Sequence, residues 1–288
     1  MRNLIKKYKI EIGLVCFLLA VFIVRDLSGS LKSGRYLDVE FFSVGQGDSI
    51  FIETPQRRQV LIDSGPGNSV LNKLGQTMDF YDRYIDMVVA THLDSDHVGG
   101  LIEVLKQYEI GALFMPKPED EDKAFYLKEL NKIIASQNIK VYYLSRGFQL
   151  AIEPGIGIYV LSPEPDSKLK AGDNDKSIVF RLVFNKASFL FTGDISQGVE
   201  KNLLAENIIL DSDVLKIAHH GSKYSNSPEF LSAVSPLFSI ISVGRNNKYG
   251  HPNEEVLERL ASSTILRTDL QGDIDILSDG LKIWTRSF

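Results

Sequence analysis

His92-Leu93-Asp94-Ser95-Asp96-His97 packs two imidazoles and two carboxylates into six residues. The stretch follows the apolar run Ile85–Ala90 and precedes Gly99-Gly100. The run reads as a β-strand and residues 98–108 as a helix, so the motif sits on a strand-to-helix loop. A turn there fans the side chains at i, i+2, i+4 and i+5 toward one point, which is what a divalent cation requires of its ligands.

The chain has five histidines, and the three outside this loop fall in two further short motifs, His219-His220-Gly221-Ser222 and Gly250-His251-Pro252. Histidines scattered through core and surface would not group this way, so the economical reading is one metal site assembled from distant segments. Thr192-Gly193-Asp194 follows the apolar Ser188–Phe191, which brings the Asp194 carboxylate out at a strand end, where α/β sheets place chemistry. His219 and His220 follow a predicted strand, Val214–Ala218. Neighbouring residues at a strand end point to opposite sides, so one of the pair is expected as a ligand. The other is expected to contact substrate or to orient a ligand.

Composition narrows the classes. With 288 residues and 44% hydrophobic content the chain can bury a core. Its only cysteine, Cys16, lies in the apolar N-terminal run, which removes disulfides and thiolate chemistry from the folded part. The net charge is −5. Residues 1–25 carry five basic residues against one acid, leaving 27 basic and 36 acidic residues in the remainder. That balance argues against a broad electrostatic grip on nucleic acid, although cations on the carboxylates would soften it.

Ile12 to Val24 is free of charge and is flanked by Lys6, Lys7, Lys9 and Arg25. A helix over Ile10–Val24 would span about 22 Å at ~1.5 Å per residue, short of the ~30 Å hydrocarbon core unless flanking lysines snorkel. The expectation is a single-pass membrane anchor with the N-terminus in the cytoplasm and the catalytic domain outside it. The alternatives are a cleaved signal segment and a buried helix. Residues 1–35 are thus read as anchor and linker, and 36–288 as one folded domain. In that domain, hairpin-type runs at 37–63 and 148–192 are interspersed with helices near 122–137, 197–205 and 254–262. Two halves of this kind predict two facing sheets with helices outside.

Taken together, Val44-Gly45-Gln46-Gly47-Asp48-Ser49, Leu61-Ile62-Asp63-Ser64-Gly65, Thr91–His97 with Gly99-Gly100, Thr192-Gly193-Asp194, His219-His220-Gly221-Ser222-Lys223 and Gly250-His251-Pro252 resemble the metallo-β-lactamase-fold hydrolases. Within that superfamily the chain closely resembles the hydrolase domain of ComEC-type competence proteins, over about residues 37–285. The resemblance implies an α/β fold, a four-layer αββα sandwich of two mixed β-sheets flanked by helices. It also implies two divalent cations in a groove at one edge. His92 and Asp94 would hold one cation and Asp96 and His97 the other, with Asp194 bridging and His219 and His251 completing the shells. Asp63 would brace the metal loop from behind.

Two departures bear on the metal. Asp94 stands where many superfamily members have histidine, and no histidine occurs between His97 and His219. Asp173, Asn174, Asp175 or water would fill that second place. Oxygen in place of nitrogen shifts preference toward harder ions, so Mn²⁺ or Mg²⁺ competes with Zn²⁺. Ser43 also replaces the relatives' usual aspartate.

The reading is therefore a metal-dependent hydrolase, foremost a phosphodiesterase or nuclease acting on DNA outside the cytoplasm by two-metal activation of water. A role in DNA uptake beside a membrane channel partner goes with it. Asp96, His97 and Asp194 are the expected catalytic residues. His220, Ser222, Lys223 and Ser225 are the expected substrate contacts, with Arg267-Thr268-Asp269 at the groove's edge. Two rival classes stand beside it: a hydrolase of a small ester, lactone or β-lactam in the same cleft, and a non-catalytic DNA-uptake or interaction module.

Overall fold

A computed structural model describes residues 36–118, 124–165 and 173–286. Fifteen strands run in chain order through them: β1 (Leu37–Phe41), β2 (Ile50–Glu53), β3 (Gln59–Ile62), β4 (Tyr84–Val89), β5 (Glu109–Met115), β6 (Lys140–Tyr143), β7 (Gln149–Glu153), β8 (Ile156–Ser162), β9 (Val179–Phe184), β10 (Ala187–Phe191), β11 (Val214–Lys216), β12 (Phe238–Ile241), β13 (Thr264–Arg267), β14 (Ile274–Ser278) and β15 (Ile283–Thr285). They form two mixed sheets. One has the order β15-β14-β1-β2-β3-β4-β5-β6 and the other β13-β12-β11-β10-β9-β8-β7. In the first, β3 to β6 run parallel; in the second, β10 to β13 do; the remaining neighbours pair antiparallel.

Three apolar layers account for the order of the sandwich. Phe41, Ile52, Phe180, Phe189 and Phe191 belong to a cluster that both sheets build, so the sheets face each other across it. Val70, Leu74, Leu101, Val104 and Leu130 pack helices on the outer face of the first sheet. Leu203, Phe230 and Val256 do the same on the second. The result is the expected four-layer αββα architecture. Strands covered on both faces lose the alternation of a half-exposed strand, which is why Ala187–Phe191 is buried at every position.

Several elements differ from the sequence reading. The single helix expected over 98–108 is two, Ser95–Val98 and Leu101–Gln107, divided at Gly99-Gly100. A side chain at Gly99 would meet Ser95 O at 2.4 Å, so the junction needs glycine there. The helices Ser69–Thr77 and Pro228–Val234 were not expected, because both are short and sit among glycine, asparagine and serine.

The membrane anchor is corrected. The segment Ile12–Val24 lies outside the described residues, and among the described residues no helix is long and apolar enough to cross a membrane. The single-span, extracytoplasmic placement is accordingly withdrawn.

Candidate metal centre

Chemistry-bearing loops leave the ends of parallel strands from both sheets at one edge. Asp63 follows β3 and His92 follows β4 by two residues of loop. Asp194 follows β10, His219 and His220 follow β11, and Ser242 follows β12. Open α/β sheets gather sites at strand ends because the loops there diverge and leave a crevice.

Asp96, His97, Asp194 and His220 each contribute a ligand atom to a group in which all four atoms lie within 4.8 Å of one another. His97 Nε2 is 3.3 Å from Asp194 Oδ1, while His220 Nε2 is 3.5 Å from both Asp194 Oδ2 and Asp96 Oδ2. His92 Nε2 lies 3.6 Å from Asp94 Oδ2, and His219 Nε2 lies 3.9 Å from Asp194 Oδ2. Such separations exceed the ~2.7–2.9 Å of a charge-assisted hydrogen bond. Two donors each ~2.1 Å from one ion at ordinary coordination angles stand about 3 to 3.5 Å apart, which matches the shorter of them.

Buried atoms left without partners support the same reading. His92 Nε2, His97 Nε2, His220 Nε2 and Asp194 Oδ1 are inaccessible and make no hydrogen bond. Leaving such groups unsatisfied costs about 1–3 kcal/mol each. The opposite edge of each ring is anchored. His97 Nδ1–H donates to Asp63 Oδ2 at 2.8 Å, and His220 Nδ1–H donates to the Ser242 carbonyl at 2.9 Å. Thr91 gives its backbone N–H and its hydroxyl to the two oxygens of Asp63, so its Oγ1 accepts from His92 Nδ1–H at 3.0 Å. These partners keep one ring proton on Nδ1, so that Nε2 is the inward-facing atom left to coordinate an ion once its own proton is displaced, as metal-binding histidines require. The donor set therefore fits divalent cations.

The charges are mutually supporting. Burial opposes ionisation of Asp194, yet the charges of His220 and His97 hold its pKa well below the usual carboxylate range. Burial likewise opposes charge on His220, but Asp194 and the Asp48 carboxylate, 3.4 Å from its Nδ1, push it up to about 9. Against the same burial, Asp194 and Asp63 raise His97 well above its ordinary value. His92 goes the other way, pushed down to about 3 by burial and by the charge of His97.

Placement of the remaining expected residues varies. Asp63, with its backbone at φ 55, lies behind the loop and accepts from Thr91 and His97. Asn174 lies beside the histidine pair, with Nδ2 3.4 Å from His219 Nε2. Asp175 accepts the Ser196 N–H, and the side chain of Asp173 lies outside the described set. His251 adjoins His219, ring centroids 5.8 Å apart, with its buried Nδ1 unpartnered.

Three expectations are corrected. His219 and His220 do not point to opposite sides of a strand. Both are in left-handed backbone conformations, φ 51 and φ 54, on a tight turn after β11, so both rings approach Asp194. His220, expected beside substrate, is buried within the ligand cluster. Ser222 and Ser225 are buried as well: Ser222 Oγ accepts the Tyr224 N–H, and the Ser225 hydroxyl donates to Ile195 O. Their hydroxyls hold the loop, which leaves Lys223 as the side chain of that set facing outward. Arg267 is engaged at both ends of its guanidinium by Asp269, and Thr268 is bonded to the backbone of Val243.

Two supports were not read from the sequence. Behind His220, Asp48 is buried with Lys216, Oδ2 to Nζ at 2.7 Å, and the same ammonium donates to Ile217 O. Lys216 overcomes the burial of Asp48 and holds its pKa low. A side chain at Gly47 would meet Asp96 O at 2.0 Å, so only glycine lets this loop close against the ligand helix. The second support is Glu200, whose carboxylate accepts the backbone N–H groups of Asn226 and Ser227. Asn226 in turn pairs its side-chain amide with both backbone groups of Ala218, the residue before the histidine pair. A lysine inside the apolar Val214–Ala218 was the available signal for the first support. No local signal marks the second.

Residues 43–245 match the Metallo-beta-lactamase superfamily. The chain belongs to that superfamily. Curated relatives include ComE operon protein 3 of Bacillus subtilis (strain 168), 33% identical over 82% of this chain and 32% of its own length. Competence protein ComA of Neisseria gonorrhoeae is 32% identical over 81% of this chain and 31% of its own. The chain thus spans about a third of the length of the curated relatives it matches. Among solved structures, the metallo-beta-lactamase fold protein YhfI from Bacillus subtilis aligns at a TM-score of 0.54 and 10% identity, covering 86% of this chain and 100% of that one. CmlA, a diiron beta-hydroxylase from Streptomyces venezuelae, aligns at 0.52 and 17%, covering 87% and 54%. These two likenesses bear on the fold alone.

Proposed function

We propose that this chain is a metal-dependent phosphodiesterase that cleaves DNA, with a pair of divalent cations, Mn²⁺ or Zn²⁺, as its cofactor. One observation carries the proposal: the inward-facing edges of His92, His97 and His220, together with Asp194 Oδ1, are buried without a hydrogen-bond partner. The competence proteins among its relatives favour DNA as the substrate.

His92 and Asp94 would hold one cation, with His219 and Asn174 beside them. Asp96, His97 and His220 would hold the other, and Asp194, which faces His97 and His220 through different oxygens, would be the ligand the two ions share. When bound, the ions supply Lewis acidity that makes water a nucleophile near neutral pH and neutralises the attacking and leaving oxygens. The protein's own part is positional. Asp63 keeps the proton of His97 on Nδ1, Ser242 keeps that of His220 on Nδ1, and Lys216 balances Asp48 so that no unpaired charge lies behind the ligands. Lys223 provides a point charge for a phosphate oxygen at the rim.

The test is hydrolysis by the metal-supplemented protein of bis-p-nitrophenyl phosphate, single-stranded DNA and plasmid, set against p-nitrophenyl acetate and a cephalosporin. Turnover of the phosphodiesters, lost in Asp194→Ala, is expected. Turnover of the ester or lactam with DNA uncut would overturn the proposal in favour of a small-molecule hydrolase.

A further inference from the structure

Two solvent-facing tyrosines flank the histidine motifs. Tyr224 follows His220 by four residues and is 69% exposed; Tyr249 precedes His251 by two and is 58% exposed. Each has its neighbouring lysine's ammonium over the ring, Lys223 at 5.2 Å from the Tyr224 centroid and Lys248 at 5.3 Å from that of Tyr249.

Both rings stand on pinned backbone next to the metal ligands. Tyr249 lies nearly parallel to His251, centroids 6.0 Å and planes 18° apart, and His251 adjoins His219. Asn247 fixes this segment by accepting the N–H groups of Tyr249 and His251 and donating to His251 O. At the Tyr224 segment, Gln197, three residues after Asp194, donates its backbone N–H to Tyr224 O and its side-chain amide to Lys223 O. Ser225 donates to Ile195 O, so the Tyr224 loop rests on the segment that carries Asp194.

A single exposed tyrosine needs no explanation. Two of them next to histidine motifs of one site, each paired with a lysine, form the combination that holds unstacked nucleotides: aromatic faces for bases and ammonium groups for the phosphates between them. An exposed lysine is held only weakly over a ring, so it can leave for a phosphate when a base takes the face. In a duplex the base faces are already stacked and closed to such platforms.

We infer that Tyr224 and Tyr249, with Lys223 and Lys248, form a stacking clamp beside the metal centre that holds a single-stranded polynucleotide. The inference rests on the phosphodiesterase reading above and names the form of its substrate. Neither tyrosine touches the reacting atoms; both set which nucleic acid is presented to them.

The test is fluorescence anisotropy on the Mn²⁺-loaded protein with a labelled phosphorothioate dT12, the matching abasic strand and a 12-base-pair duplex. The parent should bind dT12 roughly tenfold or more tighter than the abasic strand, and tighter than the duplex. Tyr224→Ala and Tyr249→Ala should each shrink the ratio between dT12 and the abasic strand, and the double variant should bring it near unity. The corresponding phenylalanine variants should keep it. Equal binding of dT12 and the abasic strand by the parent, preference for the duplex, or an undiminished ratio in the double alanine variant would overturn the clamp. If the ratio depends on the tyrosines but the parent hydrolyses no phosphodiester, the clamp stands and the hydrolase reading falls.

Discussion

Two groups of carboxylates in this molecule titrate in opposite directions. At the site edge Asp48, Asp96 and Asp194 are held below their ordinary pKa values although burial opposes this, because His220, His97 and Lys216 lie against them. On the flank of the first sheet, Asp38, Glu40, Glu53 and Asp275 are all raised, with burial the leading cause. Arg286 serves both Asp38 and Asp275 there, too little positive charge for four acids. Burial acts on both groups; partners decide the sign. A set of carboxylates kept ionised around unpartnered histidine edges is arranged for cations, whereas the flank set only tolerates its acids.

The largest effect tests the buried pair behind the site. Lys216→Met leaves Asp48 without its counter-charge in a dry setting, and the loss should be about 3–5 kcal/mol of stability, read from the urea midpoint. Asp48→Asn in the same chain should recover much of it. If Lys216→Met alone is neutral, the site carboxylates do not depend on their cationic partners.

Asp63→Asn comes next. It replaces the acceptor that orients His97 and Thr91, and metal affinity should fall about 10- to 100-fold with the fold retained, as measured by competition with a chelator. Asn226→Ala sharpens the contrast in another way. It leaves both buried Ala218 backbone groups without partners, so it should lower Tm, at about 1–3 kcal/mol per group, and weaken metal binding about tenfold through the histidine pair.

The smallest effect belongs to the flank. Glu40 is pushed up to about 7, first by burial, with Asp275 and Asp273 adding and a hydrogen bond from Thr77 opposing. Its folded pKa exceeds the ordinary 4.5, so the folded chain keeps this proton longer than the unfolded chain does. Stability from this group is therefore present at acid pH and lost as pH rises from about 4.5 to about 7. Glu40→Gln should remove that slope and stabilise the protein at pH 8 by about 1 kcal/mol once solvent screening is allowed for. An unchanged pH profile would mean that the flank acids are not strained.

The parts legible in the sequence are those whose signal is local. Six residues from His92 to His97 carry four donors, and apolar runs ending at Gly-Asp or His-His place those residues at strand ends whatever the fold's details. Two facing sheets with helices outside followed from two blocks of hairpins with helices between, and the resemblance implied their four-layer αββα order. What was not legible depends on contacts between distant segments. The Asp48–Lys216 pair forms only when the loop after β1 meets the end of β11, and Glu200 reaches Asn226 across a helix–loop interface. The directions of His219 and His220 were misjudged because strand alternation was extended past β11 into a left-handed turn. Ser222 and Ser225 looked like phosphate contacts because a hydroxyl beside a ligand motif has the same local pattern whether it faces solvent or its own loop.

The central claim is that loops from both sheets converge on a pocket built for divalent cations. Its most direct test is elemental analysis and calorimetric titration of the purified chain with Mn²⁺ and Zn²⁺, repeated for Asp194→Asn. Two equivalents per chain, with at least one lost and the other weakened about a hundredfold or more in Asp194→Asn, is the predicted result. No bound ion in the parent, or binding that Asp194→Asn leaves intact, would contradict the account.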